Sequence, residues 1–340
     1  MSVILTGLNI RAMSFSLRRV SLRHKVIWAP AFSGRTNEKD FCNHLVLRNL
    51  MLLLLPLITA GFISGCASTM AKMTVDSMKP LMEDMHSATN RNTDAELVRS
   101  AMPALLIQMD GFIKVSPENR YLLASAAEAN MGYAFLFVED TDKQRAKELY
   151  LKARDYALRN LKLNKTFENA LEQDDIENFT KALKTIHKRD IAALYFATSS
   201  WLHWVNLAQS DNPEVLKDMP KVEAMMDRVL VLDETFYHGG IHVLFGMNSI
   251  ARPETSRGQI EQAQKHFKEA FEISHSKYLL WYYIYAKYYA VQTKDRELFI
   301  STLNRIISAP VDIMPDEAFA NEATKIKARD LLLHVDNYFK

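Results

Sequence analysis

Two distant segments carry the same order of small and aromatic residues at helical spacing. The first contains Ala146, Tyr150, Ala153 and Ala157, and the second contains Ala263, Phe267 and Ala270. Steps of three and four residues put side chains on one face of an α-helix, whereas a strand alternates faces at every residue. From residue 73 onward the sequence lacks alternating apolar and polar runs rich in β-branched residues. We therefore predict that the folded part of the chain is all-α.

Each of these segments follows another apolar stretch, so the pattern predicts helical hairpins. A glycine precedes each segment, Gly132 the first and Gly246 the second. This order is similar to that of tetratricopeptide repeats, although the separation between glycine and alanine differs and makes the repeats degenerate. A single hairpin cannot bury its apolar face and must stack on its neighbours. We predict a superhelical bundle of tetratricopeptide-like hairpins. The hairpins are expected at residues 121–161, 190–232, 236–270 and 278–307, with a closing helix at about 316–338.

Two local signals refine the helix boundaries. Ser116 followed by Pro117 predicts a helix start, because serine caps the free backbone N–H groups and proline fits the first turn. The apolar spacing from Phe167 to His187 predicts one connecting helix.

An uncharged run precedes the helical part. Residues 50–63 carry no charged side chain, and Ile63 is followed by Ser64, Gly65 and Cys66. The run fits a signal-peptide core of roughly 7–15 residues and is shorter than the about 20 residues that span a membrane. Its end is similar to a bacterial lipobox. We predict a lipoprotein signal and lipobox at residues 50–65, with diacylglycerol and an acyl chain such as palmitate on Cys66. The alternative is a core helix followed by a buried cysteine.

Residues 1–49 are longer than an ordinary signal n-region. They contain eight basic and two acidic residues. We interpret them as a non-native N-terminal extension or a long leader, with a later start near Leu45 or Val46. A mitochondrial-type presequence is the alternative, and the lipobox argues against it. The expected mature protein is the helical-repeat domain at residues 66–340, attached to a membrane through Cys66.

Charge and cysteine content exclude several classes of function. The net charge of +2 belongs to the leader, because residues 66–340 hold 34 basic and 38 acidic residues. An acidic body does not offer the basic surface that nucleic acid requires. Cys42 lies before the predicted cleavage point and lipid would occupy Cys66, so no disulfide is expected.

We find no sequence motif for catalysis. The chain contains no His-Glu-x-x-His, no Gly-x-Ser-x-Gly, no phosphate-binding loop and no dinucleotide fingerprint. His238 and His242 are four residues apart and would share a helix face, as metal ligands often do, but no third ligand stands at metal spacing. We predict no enzyme activity, no metal and no cofactor apart from the covalent lipid.

Aromatic residues provide the candidate binding site. The segment from Tyr278 to Tyr289 is aromatic on nearly all faces, which indicates burial on several sides. Tyrosine and tryptophan combine apolar rings with polar tips that require partners. We predict that a ligand cavity or pore is lined by Trp201, Trp204, Tyr282, Tyr285 and His242. The alternative is simple core packing. The absence of an evident arginine clamp favours an apolar or amphipathic ligand over a dicarboxylate.

Several short segments follow one another in a characteristic order, among them Ala101–Leu106, Gly132–Phe135, Leu149–Ala157, Ala193–Trp201, Val222–Asp233, Gly240–His242, Ala263–Ala270 and Tyr288–Phe299. This ordered set resembles the TatT family, the periplasmic T components associated with TRAP transporters. Phe196, where members often carry tryptophan, and the large Ile241 depart from the pattern and could narrow a cavity. The resemblance implies a lipid-anchored protein of tetratricopeptide-like hairpins without catalysis. It also implies a solute-binding protein as partner, a homotrimer with central pores and a periplasm-facing location.

Two functions remain open at this point. The first is an accessory component of a TRAP-type solute uptake system that binds a solute-binding protein and an apolar or amphipathic ligand. The second is a lipoprotein scaffold for envelope assembly that holds peptides in tetratricopeptide-like grooves. Ala67, which follows the cysteine where aspartate would retain a lipoprotein at the inner membrane, indicates the outer membrane for either function.

Overall fold

The computed structural model describes residues 68–251 and 255–339, and these residues contain helices and no strand. The prediction of an all-α protein is confirmed. Residues 63–340 form one compact unit. The predicted leader at residues 1–49, the signal and lipobox at residues 50–65, and Cys66 lie outside the described residues.

Residues 68–77 are helical, and thirteen α-helices follow within the described ranges. They are α1 (Lys79–Asn90), α2 (Ala95–Val115), α3 (Arg120–Tyr133), α4 (Lys143–Leu161), α5 (Lys165–Leu171), α6 (Ile176–Leu183), α7 (Ile191–Ala208), α8 (Met219–Asp233), α9 (Phe236–Ile250), α10 (Arg257–Ile273), α11 (Leu279–Ile284), α12 (Arg296–Ser308) and α13 (Ala318–Leu333). Two of them continue into π-helical segments: α3 into Ala134–Val138, and α11 into Tyr285–Ala290.

Side-chain caps explain where several helices begin. Asp94 accepts a hydrogen bond from the Leu97 N–H at the start of α2. The prediction that Ser116 caps α3 is wrong, because Asn119 performs that role by accepting the Leu122 N–H at 3.0 Å. The Ser116 hydroxyl instead donates to Asp76, 40 residues earlier in the chain, at 2.6 Å. A long-range partner therefore outweighs the local capping preference.

The connecting segment differs from the prediction in the same way. Residues 167–187 do not form one helix: α5 ends at Leu171, and α6 begins at Ile176. Asp175 caps α6 by accepting the Asn178 N–H at 3.0 Å. The acidic sequence between the two helices thus marks the end of α5 and the beginning of α6.

The small-aromatic-small segments form the inner faces of packed helix pairs. Ala146, Tyr150 and Ala153 on α4 are fully buried, as are the corresponding residues of α10. Helix α4 packs between α3 and α7, and α9 packs along α10. At Gly246 an added Cβ would lie 2.8 Å from the Phe267 ring, so close approach of α9 and α10 requires glycine there. The hairpins are present, and their assignment to a tetratricopeptide superhelix stays a prediction.

The last helix returns to the first ones and closes the bundle. Helix α13 packs against α11 and α12 and also against α1 and α2. On the α13 side, the Lys327 Nζ donates to the Phe135 carbonyl at 2.8 Å and pairs with the Asp140 carboxylate. A chain of hairpins that closes on itself leaves a space between its inner helices.

Candidate functional site

That space is a cavity of about 260 Å³ inside the bundle. Seven helices contribute to its wall, namely α1, α2, α3, α7, α9, α11 and α13. Its lining is mostly apolar, as in ligand pockets generally, in which a few polar groups orient the ligand. The sides come from helices that are far apart in the chain, so the cavity exists only in the closed bundle.

Methionines line one side of the cavity. Met78, Met82 and Met85 recur at steps of four and three residues at the start and along one face of α1. Met102 and Met109 of α2 belong to the same lining. Methionine side chains are flexible and polarizable, and they adapt to ligands of varied shape. Helix α1 has no fully buried residue, and we identify it as the most loosely held part of the wall.

The other side of the cavity is aromatic and is shaped by a strained turn. Tyr237, His238 and Gly239 have left-handed backbone angles, with φ of 49°, 57° and 76°. For the first two residues this conformation is costly, and such strain concentrates at functional sites. The turn places the Tyr237 ring against Tyr195 at 5.2 Å between centroids and allows the Trp281 indole N–H to donate to the His238 carbonyl at 2.8 Å.

Gly240 completes this aromatic wall. A Cβ at Gly240 would lie 2.2 Å from the Tyr195 hydroxyl oxygen, so a side chain there would displace the tyrosine. Tyr195, Tyr237, Tyr278 and Trp281 all line the cavity. The position of Tyr195 depends on this glycine, and the left-handed turn before it orients Tyr237 and contacts Trp281.

Two carboxylates stand among these apolar groups. Glu128 of α3 and Glu317, just before α13, line the cavity. The Glu317 carboxylate lies 3.0 Å from His238 Nε2. The basic side chain closest to Glu128 is His86, whose Nε2 lies 3.9 Å from the carboxylate. Burial raises the pKa of Glu128; a charge on His86 opposes the shift, and the charge of Glu317 adds to it. A quarter of the Glu128 side-chain surface is accessible, and we assign this surface to the cavity.

His203 lies where the cavity meets a buried polar network. Its ring lines the cavity and stacks on Tyr150 with 5.2 Å between centroids. Its Nδ1 is 3.8 Å from the Glu139 carboxylate. Burial lowers the pKa of His203 to about 4, and the nearby charge of Glu139 offsets this only in part. The imidazole is therefore neutral at physiological pH.

The network joins the two π-helical segments. Glu139, which directly follows the first segment, accepts hydrogen bonds from the Tyr150 hydroxyl at 2.6 Å and from Lys287 Nζ at 2.9 Å. Lys287, inside the second segment, also donates to Asp140 at 2.8 Å. Burial alone would raise the pKa values of both carboxyls, but Lys287 and their other partners hold them below the usual range. Distortions of this kind are frequent at functional sites, and here they bring opposite charges together.

The five residues predicted to line a cavity or pore all lie outside the lining of this cavity. The Trp201 indole N–H donates to Asp218 at 3.0 Å. The Arg154 guanidinium lies 5.2 Å from the centroid of the Trp201 ring and 5.5 Å from that of Trp204. These two tryptophans thus flank one arginine on the α4–α7 side of the bundle. A role for them in a pore between protein copies stays a prediction.

The predicted tyrosines pack against α10. Tyr282 stacks on Phe271 with 4.0 Å between centroids and parallel rings. Tyr285 stacks on Tyr289 at 4.7 Å and meets the edge of Phe267 at 5.2 Å. The regular tyrosine stripe therefore faces α10, which belongs to the preceding hairpin. Trp281 and Ile284 of α11, with Tyr278 just before this helix, line the cavity instead.

The two histidines predicted to share a helix face do not do so. His238 belongs to the left-handed turn and pairs with Glu317, whereas His242 lies in the helical part of α9. His242 Nδ1 lies 3.2 Å from His266 Nδ1, and its Nε2 lies 3.6 Å from Glu234. Within residues 68–251 and 255–339 no three histidine, cysteine or acidic side chains form a group that could hold a metal ion.

Two features of the sequence point to residues that line the cavity. Met78, Met82 and Met85 follow helical spacing, and Glu128 interrupts the apolar face of α3. Each observation is weak alone, because methionine stripes are usually core and isolated acids are usually solvated.

The fold is an all-α bundle with an internal cavity, and no catalytic arrangement is evident among the described residues. A family model described as TRAP transporter T-component matches residues 91–339. The chain belongs to this family, and it is accordingly an accessory component of a TRAP transport system. No curated protein matches the chain in a sequence comparison. In the part of the chain that the structure describes, every helix is too short or too polar to cross a membrane.

Proposed function

We propose that this protein is a non-enzymatic, lipid-anchored accessory component that binds an apolar or amphipathic ligand in its central cavity. In this proposal it faces the periplasm, is attached through Cys66, and exchanges the ligand with a solute-binding protein of the TRAP system. The observation that carries the proposal is the cavity between the helices, which is lined by methionines and by aromatic rings. Family membership supports the link to a TRAP system.

The shape and chemistry of the wall favour ligand binding over a peptide-binding scaffold. A scaffold would hold an extended peptide in an open groove, whereas the apolar surface here is turned inward between seven helices. Flexible methionines at α1 give the ligand a plausible entry side, because α1 has no fully buried residue. The proposed ligand is therefore a small molecule with an apolar body.

A binding assay with a fluorescent hydrophobic probe tests the cavity. Residues 63–340 form a compact unit that includes every residue of the described core. A soluble form that begins at residue 66, with Cys66→Ser, should bind the probe with saturation and release it to competing amphiphiles. A linear, non-saturating signal would contradict a defined site.

The partner and the anchor require separate tests. Sedimentation of the soluble form at tens of micromolar should detect a complex with a cognate solute-binding protein. Failure with all encoded candidates would favour the scaffold for envelope assembly. In cells, Cys66→Ser should move the protein out of the membrane fraction and abolish incorporation of labelled palmitate. Retention of lipid by that variant would exclude Cys66 as the anchor.

A further inference from the structure

The charged groups at the cavity are acidic and unevenly compensated. Within the described residues the lining contains Glu128 and Glu317 but neither lysine nor arginine. Glu317 is paired with His238 at 3.0 Å. Glu128 has only His86 near it, at 3.9 Å, and half of the His86 side chain is exposed to solvent. Glu128 is thus the less well paired of the two carboxylates in the lining.

His86 is a poor counter-charge for Glu128. The Asn90 side-chain amide lies 3.1 Å from His86 Nε2, the same atom that points toward Glu128. When Asn90 donates to that nitrogen, the nitrogen holds no proton to give to the carboxylate. The interaction across 3.9 Å is then weaker than a hydrogen-bonded ion pair.

Aromatic rings line the same cavity as Glu128. Burial raises the pKa of Tyr195, and the charge of Glu128 adds to that increase. The pKa values of Tyr237 and Tyr278 are also raised, first by burial and then by neighbouring groups that include Glu128. These tyrosines therefore remain neutral phenols beside the carboxylate. Faces of tyrosine and tryptophan rings attract cations, most strongly when water is excluded.

We propose that the cavity selects a cationic amphiphile, with its ammonium group between Glu128 and the aromatic wall and its apolar part against the methionines. This inference rests on the proposed ligand-binding function and names the class of ligand. An anionic head group is disfavoured, because it would meet two carboxylates and no lysine or arginine in the lining. A neutral amphiphile gains the apolar contacts but leaves Glu128 without an opposite charge.

The test compares three head groups on one chain length. Octyltrimethylammonium, octanol and octanoate are each used to displace the hydrophobic probe from the soluble form with Cys66→Ser. The cation should bind at least about tenfold more tightly than the other two, which corresponds to one charge-assisted contact. Equal or tighter binding of octanol or octanoate overturns the inference but leaves the ligand-binding function standing. If none of the three competes, both proposals fail.

Two variants connect the selectivity to Glu128. Glu128→Gln keeps the shape and removes the charge, so it should weaken cation binding about tenfold and change octanol binding by less than about twofold. Glu261→Gln removes the same charge from an exposed position on α10, where no residue lines the cavity, and should change neither affinity. Unchanged cation binding by Glu128→Gln overturns the assignment. The comparison on the wild-type protein remains decisive if the variant does not fold.

Discussion

Substitutions of Gly132 that place a side chain in the cavity can distinguish a ligand-binding space from a packed core. Gly132 lies in α3 and lines the cavity, and a Cβ built there would have no other atom within 4 Å. Gly132→Ala should therefore stabilise the protein by about 1 kcal/mol, the difference in helix propensity between the two residues. Such a change raises the melting temperature by about 2–4 °C in a protein of roughly this size.

Gly132→Leu should block the cavity without unfolding the protein. The leucine side chain would enter the apolar space and gain up to about 1.5–3 kcal/mol from burial, so we expect stability at or above that of the wild type. The same side chain occupies volume that the probe needs, and probe affinity should fall at least about tenfold. Thermal unfolding and probe titration on the same samples measure the two effects.

Gly111 provides the matched control. It is also a helical glycine with open space around its Cβ position, but it is exposed on α2 and does not line the cavity. Gly111→Leu should alter helix stability in the same direction and leave probe binding unchanged. Destabilisation by Gly132→Ala of more than about 1 kcal/mol would show that the space is already filled. Undiminished probe binding by Gly132→Leu would place the probe elsewhere.

Two further predictions concern the buried polar network. The pKa of His203 is about 4 in the folded protein and ordinary when unfolded, so stability present above about pH 6.5 is lost as pH falls toward 4. At pH 4.5 the free energy of unfolding is expected to be about 2–3 kcal/mol lower than at neutral pH because of this group. The variant His203→Gln should lack this part of the pH dependence when unfolding by urea is measured. If the unfolding free energies of the variant and the wild type fall in parallel with pH, the assignment to His203 is contradicted. Lys287→Met leaves Glu139 and Asp140 without their shared ammonium and should cost about 3–5 kcal/mol. Lys287→Arg retains the charge, and equal losses in the two variants would mean that packing, not charge, dominates.

Local pattern was sufficient for the fold class and for the helix pairs. The spacing of Ala146, Tyr150 and Ala153 predicted a buried helix face, and these residues are fully buried. The close approach at Gly246 was also readable, since only a residue without a side chain fits against Phe267. Such features depend on neighbours within one helix or one hairpin, which is the range over which periodicity carries information.

Features that depend on distant partners were not readable. Ser116 is of a residue type that often caps helices, but its hydroxyl donates a hydrogen bond to Asp76. The tyrosine stripe at Tyr282 and Tyr285 faces α10, whereas Trp281 faces the cavity. A helix that is aromatic on all sides gives no indication of which side meets which neighbour. His238 belongs to a left-handed turn that no local residue pattern announced, whereas His242 lies in the helical part of α9.

The sequence by itself determined that the chain forms apolar-faced helices in hairpins and that it resembles a TRAP T component. The tertiary structure alone decided that α13 returns to the first helices and that Lys287 and Lys327 meet Asp140 across the bundle. It also decided that α1, α2 and α13 contribute to the wall of one cavity. The physical reason is that closure depends on contacts between residues more than 140 positions apart, which a local period does not specify. A helical period specifies a face, and only packing specifies what that face encloses.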